Sequence, residues 1–98
     1  MKLRFTRRAQ RHLDRIASFI SERNPNAARR VGERIRESIE FLRLFPDIGR
    51  EGVQQGSREL IVPSLPYIVV YRIDAGDDAV TILGVYHAAQ VRPGQERE

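Results

Sequence analysis

Four side chains in the last third of the chain have the types that chemistry needs. Arg58 and Arg72 interrupt apolar runs, and Tyr86 and His87 close the last of those runs. Two guanidinium groups could clamp a phosphodiester bidentately and stabilise the charge of a pentavalent transition state. His87 or Tyr86 could serve as general acid or base, histidine being the side chain that titrates near neutrality. If the strands carrying them are adjacent, all four fall within reach of one another on a sheet or at its rim. The plainer alternative is structural. Arg58 would then pair with the neighbours of Glu59 or with helix carboxylates, Arg72 with Asp74 or Glu59, and Tyr86 would fill the edge of the core.

Other chemistries find no support. There is no phosphate loop, no GxGxxG, no HExxH and no zinc-ligand spacing, so no cofactor or metal is expected. No serine-nucleophile motif is present. The second histidine, His12, lies between Arg11 and Leu13 on a basic helix and reads as a surface residue.

The elements that must position the four residues follow from periodicity. Arg58–Val62, Tyr67–Ile73 and Ala79–His87 read as strands. Pro63-Ser64-Leu65-Pro66 joins the first two, and Asp74-Ala75-Gly76-Asp77-Asp78 makes a hairpin turn with Gly76 available for positive φ. Alternation places Arg72 with Ile68 and Val70, opposite Tyr67, Val69, Tyr71 and Ile73. It also separates Val80, Ile82, Gly84 and Tyr86 from Thr81, Leu83, Val85 and His87. Both faces are apolar, so a partner is expected to cover part of the one that the helices leave bare.

Upstream, Leu3 and Phe5 alternate with Lys2 and Arg4 as a short first strand. Thr6 caps a helix whose apolar stripe is Ala9, Leu13, Ile16, Ala17 and Ile20, with Arg7, Arg8, Arg11 and Arg15 mostly opposite. Asn24-Pro25 ends that helix and starts another, striped by Ala28, Val31, Ile35, Ile39 and Leu42 and stopped at Pro46. Arg29/Glu33 and Arg36/Glu40 are potential i,i+4 pairs on its solvent side. Residues 46–57 hold three of the seven glycines and read as a loop. The expectation is an α+β fold in β-α-α-β-β-β order, a helical hairpin packed on one face of a small antiparallel sheet. Residues 1–90 form a single domain in this reading, and 91–98 a polar C-terminal tail.

Ninety-eight residues suffice for one modest core. With no cysteine, neither a disulfide framework nor a thiolate metal site is available. No apolar run reaches spanning length and the N-terminus lacks a signal-peptide core, which makes a cytoplasmic protein the expectation, without a membrane partner. The net charge of +4 is uneven: residues 1–50 carry 13 basic and 6 acidic side chains, residues 51–98 carry 4 and 7. All basic residues except Lys2 are arginine, a residue suited to phosphate and carboxylate recognition. A GC-rich coding sequence gives the same bias with no functional cause.

LRFTRRAQRHLDRIASFISERNP, IEFLRLFPDIGREG, SRELIVPSLPYIVVYRI and VTILGVYHAAQ, in that order over residues 3–90, resemble RelE/ParE-type toxins of type II toxin–antitoxin systems. The resemblance implies a small antiparallel sheet carrying an N-terminal helical hairpin. It also implies a cognate antitoxin whose C-terminal segment wraps the toxin in a hetero-oligomer, acidic enough to meet the arginine-rich helices.

The family divides in activity. RelE-type members cut mRNA in the ribosomal A site, whereas ParE-type members poison DNA gyrase and are not known as nucleases. This chain lacks the lysine cluster of the RelE branch, and its R-E-L and P-Y-x-V-x-Y-R wording is closer to ParE. The resemblance therefore implies a growth-inhibiting toxin acting on gyrase. The alternative is a ribosome-dependent endoribonuclease with Arg58, Arg72, Tyr86 and His87 as its catalytic set and Glu51 or Glu59 as its carboxylate. A degenerate toxin that only binds its antitoxin is a third outcome.

Overall fold

Two side-chain caps set the helical hairpin. The computed structural model describes residues 1–90; the tail expected over 91–98 lies outside them. Strand β1 (Lys2–Phe5) ends at Thr6, whose Oγ1 accepts from the Ala9 N–H at 3.1 Å and opens α1 (Arg7–Ser21). Asn24 Oδ1 accepts from the Ala27 N–H at 3.1 Å and opens α2 (Pro25–Leu44), with Pro25 at the position where its missing N–H costs nothing. A 3₁₀ turn (Pro46–Ile48) stops α2, and β2 (Arg50–Glu51), β3 (Arg58–Ile61), β4 (Tyr67–Asp74) and β5 (Ala79–His87) follow.

The strands form one sheet in the order β1-β5-β4-β3-β2. The last four make antiparallel neighbours, β3, β4 and β5 as expected, but β1 lies parallel to β5, Lys2 opposite Ala79 and Phe5 opposite Ile82. The sheet is therefore mixed. Tight connections dictate the hairpin orientations, while the pairing of first strand with last is non-local and no turn records it. Strand β2, within the stretch expected to be a loop, pairs Arg50 with Glu59 and Glu51 with Arg58.

Both helices pack on one face. Ala9, Ile35, Ile39 and Leu42 meet Val62, Val69, Tyr71, Val80, Ile82 and Val85 in the main core. Leu42, Val69 and Ile82 are fully buried, and each such side chain stabilises by roughly 1.5–3 kcal/mol. A smaller cluster of Ile68, Val70 and Tyr86 closes the opposite face at one end of the sheet, with Leu83 against it. That end is not the bare apolar surface the alternation implied.

Two local features depart from the sequence reading. Between Val70/Gly84 and Tyr71/Ile82 the ladder slips by one residue, leaving Leu83 as a bulge in β5. The bulge reverses the alternation, so Val85 joins Val80 and Ile82 in the main core while Tyr86 turns to the other face. The β4–β5 connection is a 3₁₀ turn over Ala75–Asp77, and its left-handed residue is Asp78 at φ 51°, not Gly76. Aspartate tolerates that region better than most side chains. On α2, neither Arg29/Glu33 nor Arg36/Glu40 forms an ion pair among the described residues; Arg43 takes Glu40 at 3.0 Å instead.

Candidate functional site

The strand register divides the four candidate residues between two faces. Arg58 stands opposite Tyr71 on the helix side of the sheet, and His87 stands opposite Tyr67 on the same side, four residues further along β4, about 13 Å away. Arg72, opposite Thr81, and Tyr86, opposite Ile68, lie on the other face and are separated by a similar four-residue step. The register thus leaves Arg58 and His87 on one face and Arg72 and Tyr86 on the other.

Each of the four has local work. Arg58 Nη1 donates to the Gly49 carbonyl at 2.8 Å, and its Nη2 sits 3.5 Å from the Asp47 carboxylate, clasping the segment after α2. Arg72 Nε donates to Asp74 Oδ1 at 2.9 Å, and Thr81 Oγ1 donates to the other oxygen of Asp74 at 2.6 Å. Those two hydrogen bonds, Thr81's first, hold the Asp74 carboxyl below its ordinary range. His87 Nδ1 accepts from the Ala89 N–H and its ring meets Tyr67 edge-on at 5.6 Å. Of the two carboxylates considered with them, Glu59 is buried and pairs with Arg50 at 3.2 Å, while Glu51 is exposed on β2.

Tyr86 leads to a residue that the sequence reading placed wrongly. Its ring crosses Gly84, where an added Cβ would stand 2.7 Å from Cε2, and meets the His12 ring edge-on at 4.8 Å. His12 is not a surface residue. Beyond Phe5 the edge of β5 has no strand beside it, and α1 runs along that edge. Thr6 Oγ1 donates to the Leu83 carbonyl at 3.2 Å, and His12 Nδ1 accepts from the Val85 N–H at 3.1 Å. The histidine thus satisfies a strand amide that would otherwise be orphaned at the sheet edge. Nothing in a linear sequence pairs His12 with Val85.

Burial first, then the charges of Arg15, Arg8 and Arg11, hold His12 below the ordinary histidine pKa of 6.5. A depressed folded-state pKa means that its contribution is complete above the unfolded value and is lost as pH falls through the folded one. Stability should therefore decline as pH drops below about 6.5 toward 5, since a protonated Nδ1 no longer accepts from Val85. A His12→Phe variant should start from a lower melting temperature and show a shallower decline. An unchanged slope in thermal melts at pH 7, 6 and 5 would remove His12 as the cause.

An apolar concavity lies between the helices. Leu3 and Phe5 of β1 form part of its lining; Leu13, Ile16 and Ala17 of α1 face Ala28, Val31 and Gly32 of α2 across it, with a volume of about 480 Å³. The small residues Ala17, Ala28 and Gly32 leave this room. Stripe positions expected to be core are consequently only half-buried, and Phe5 is 43% exposed. Gln10, Asp14, Arg36 and Glu40 supply a polar rim. An apolar cleft with a polar rim is the form that seats an amphipathic segment of another chain. Among the described residues no cluster of three or more histidines and acidic residues is placed to hold a metal ion. Nor is any helix among them long and apolar enough to cross a membrane.

Relatives share this architecture. Residues 3–92 match the family described as ParE toxin of type II toxin-antitoxin system, parDE. Candidate toxin Y4kP of Sinorhizobium fredii is 41% identical over 92 residues, covering 94% of this chain and 93% of that one. Toxin RelE2 of Caulobacter vibrioides is 30% identical over 87 residues, covering 89% and 94%. In the solved structure of the chromosomal ParDE TA system from P. aeruginosa, a chain superposes with a TM-score of 0.78 at 24% identity, covering 89% of this chain and 95% of its own. That last likeness speaks for the fold, and the sequence matches, which run nearly end to end, speak for descent: the chain belongs to the ParE toxin family of type II toxin–antitoxin systems.

Proposed function

We propose that this protein arrests growth in the cytoplasm by poisoning DNA gyrase through protein–protein contact, and that a cognate antitoxin silences it by occupying the groove between α1 and α2. The observation that carries the first half is the dispersal of Arg58, Arg72, Tyr86 and His87 over two sheet faces, each engaged in a local contact. A surface that acts by binding needs no such convergence. The family match supports the same branch. The antitoxin half rests on the open apolar cleft and on the solved relative, which is described as part of a ParDE system.

The decisive experiment runs gyrase supercoiling and mRNA cleavage in a translating extract side by side with one toxin preparation. Supercoiling is expected to fail while the message stays intact. Normal supercoiling at high toxin excess, with cut message, overturns the gyrase reading. A genetic arm follows from the geometry. An Arg72→Ala plus His87→Ala double variant should arrest growth as wild type does. Both side chains are exposed and their contacts are surface ones, so each substitution should change stability by no more than about 1 kcal/mol.

The relative named RelE2 favours keeping one alternative, the ribosome-dependent mRNA endoribonuclease. On that reading Arg58, Arg72, Tyr86 and His87 are its catalytic residues, and the same double variant loses both toxicity and message cleavage.

A further inference from the structure

The outward face of α1 carries a charge pattern that the helix itself does not favour. Arg7, Arg11 and Arg15 follow one another at i,i+4 spacing with Arg8 alongside, all exposed and all on the side away from Ala9, Leu13 and Ile16. Like charges at that spacing destabilise a helix. The first turn holds Arg7 and Arg8 and no acidic residue, although the positive end of the helix dipole favours carboxylates there. None of the four takes part in the ion pairs found among the described residues, which engage Arg4, Arg43, Arg50, Arg58 and Arg72. Asp14, three residues after Arg11, is instead 3.4 Å from the Gln10 side-chain amide on the groove rim. The stripe continues past Phe19, an exposed aromatic with the Arg23 guanidinium 4.0 Å from its ring centroid. From Arg7 to Arg15 the four arginines span about 12 Å along the helix axis, the rise of roughly three to four base pairs.

We propose that this stripe is a binding surface for the phosphate backbone of duplex DNA, read without regard to sequence. Three arginines at i,i+4 intervals with a fourth alongside, on one helix face, suit a regular polyanion, and each fork can take a phosphate bidentately. A single strand is the poorer fit. Recognition of single strands leans on aromatic faces for base stacking, and Phe19, the aromatic on this face of α1, already has Arg23 over its ring. An acidic polypeptide is the poorer fit too, because the apolar groove that would seat a protein segment opens on another side of α1, at Leu13, Asp14 and Ala17. The test contains neither gyrase nor antitoxin, so this proposal and the proposed function fail independently.

The test is fluorescence anisotropy with the purified full chain and three probes: a 20-base-pair duplex of mixed sequence, a single-stranded RNA of equal length, and a polyglutamate peptide. The duplex is expected to bind best. With about four phosphates neutralised, its affinity should fall roughly 100-fold between 50 and 200 mM salt. A triple variant, Arg8→Gln, Arg11→Gln and Arg15→Gln, should lose nearly all duplex binding, with the logarithmic salt slope reduced by about three. It should melt no lower than wild type, since it removes repulsion. An Arg29→Gln plus Arg30→Gln variant takes charge from α2 instead and should bind as wild type does. Tighter binding of RNA or polyglutamate, no duplex binding at 50 mM salt, or comparable losses in the α1 and α2 variants would each overturn the proposal.

Discussion

Removing one oxygen atom, in Tyr71→Phe, should destabilise the protein by about 2–3 kcal/mol, because it strands two backbone groups at once. Tyr71 is fully buried, and its hydroxyl donates to the Pro46 carbonyl at 2.6 Å while accepting from the Gly49 N–H at 2.9 Å. The ring packing survives the substitution, so the loss isolates the hydrogen bonds. For a chain of this size the melting temperature should fall by about 10–20 °C. Gly49 is fitted to the same clasp: a Cβ there would stand 2.5 Å from the Tyr71 oxygen and 2.9 Å from the Glu59 carbonyl. Gly49→Ala should therefore destabilise as well, and the double variant should cost less than the sum, since each change breaks the same contact. Strict additivity in urea melts would show that the two residues are not coupled. The pH dependence has the opposite sense to that of His12. Burial raises the Tyr71 pKa above its ordinary value of 10.0, so its contribution is complete below that pH and fades as pH climbs beyond it. The phenylalanine variant should lack that alkaline loss.

What the sequence made legible was whatever short-range chemistry determines. Thr6 and Asn24-Pro25 announce helix starts because capping needs only the next three residues, and both caps are present. The hairpin strands fall within a residue of the positions that alternation and turn residues mark. The family, too, was visible in ordered wording spread over the whole chain. The misreadings with the largest consequences share one cause, in that they depend on contacts far away in sequence. Strand β1 finds β5 across more than seventy residues, and His12 finds the Val85 amide across a similar span. The Leu83 bulge is invisible to strict period-two sorting, and once it was missed Tyr86 and Val85 exchanged faces. That exchange mattered for the site. Four residues with plausible chemistry looked close together because strand adjacency was read without register. The groove was overlooked for the converse reason: its lining residues all sat at apolar positions where a closed core was the simpler expectation. The small size of Ala17, Ala28 and Gly32 was the available clue.

The proposed antitoxin seat is best probed where the groove is open and the fold is indifferent. Ala17 lines the groove yet is exposed, so Ala17→Glu should change stability by only about 0.5 kcal/mol. Once a partner segment lies over it, the same carboxylate is trapped among apolar groove side chains such as Leu13, Ile16 and Val31. Burying a polar group without a partner costs about 2–7 kcal/mol, and each 1.4 kcal/mol is a factor of ten in affinity. A cost of around 4 kcal/mol corresponds to roughly a thousandfold weaker antitoxin binding. The variant should arrest growth even when the cognate antitoxin is co-expressed, and should be as toxic as wild type without it. Ser18→Glu adds the same charge one residue along, on a side of α1 that does not line the groove, and should still be neutralised. The pair separates location from charge: a partner drawn mainly to the arginines would be repelled by either carboxylate, whereas a partner seated in the groove is repelled only by the one at position 17. Equal neutralisation of both variants would move the antitoxin off this groove, and equal escape would assign its grip to charge instead of shape.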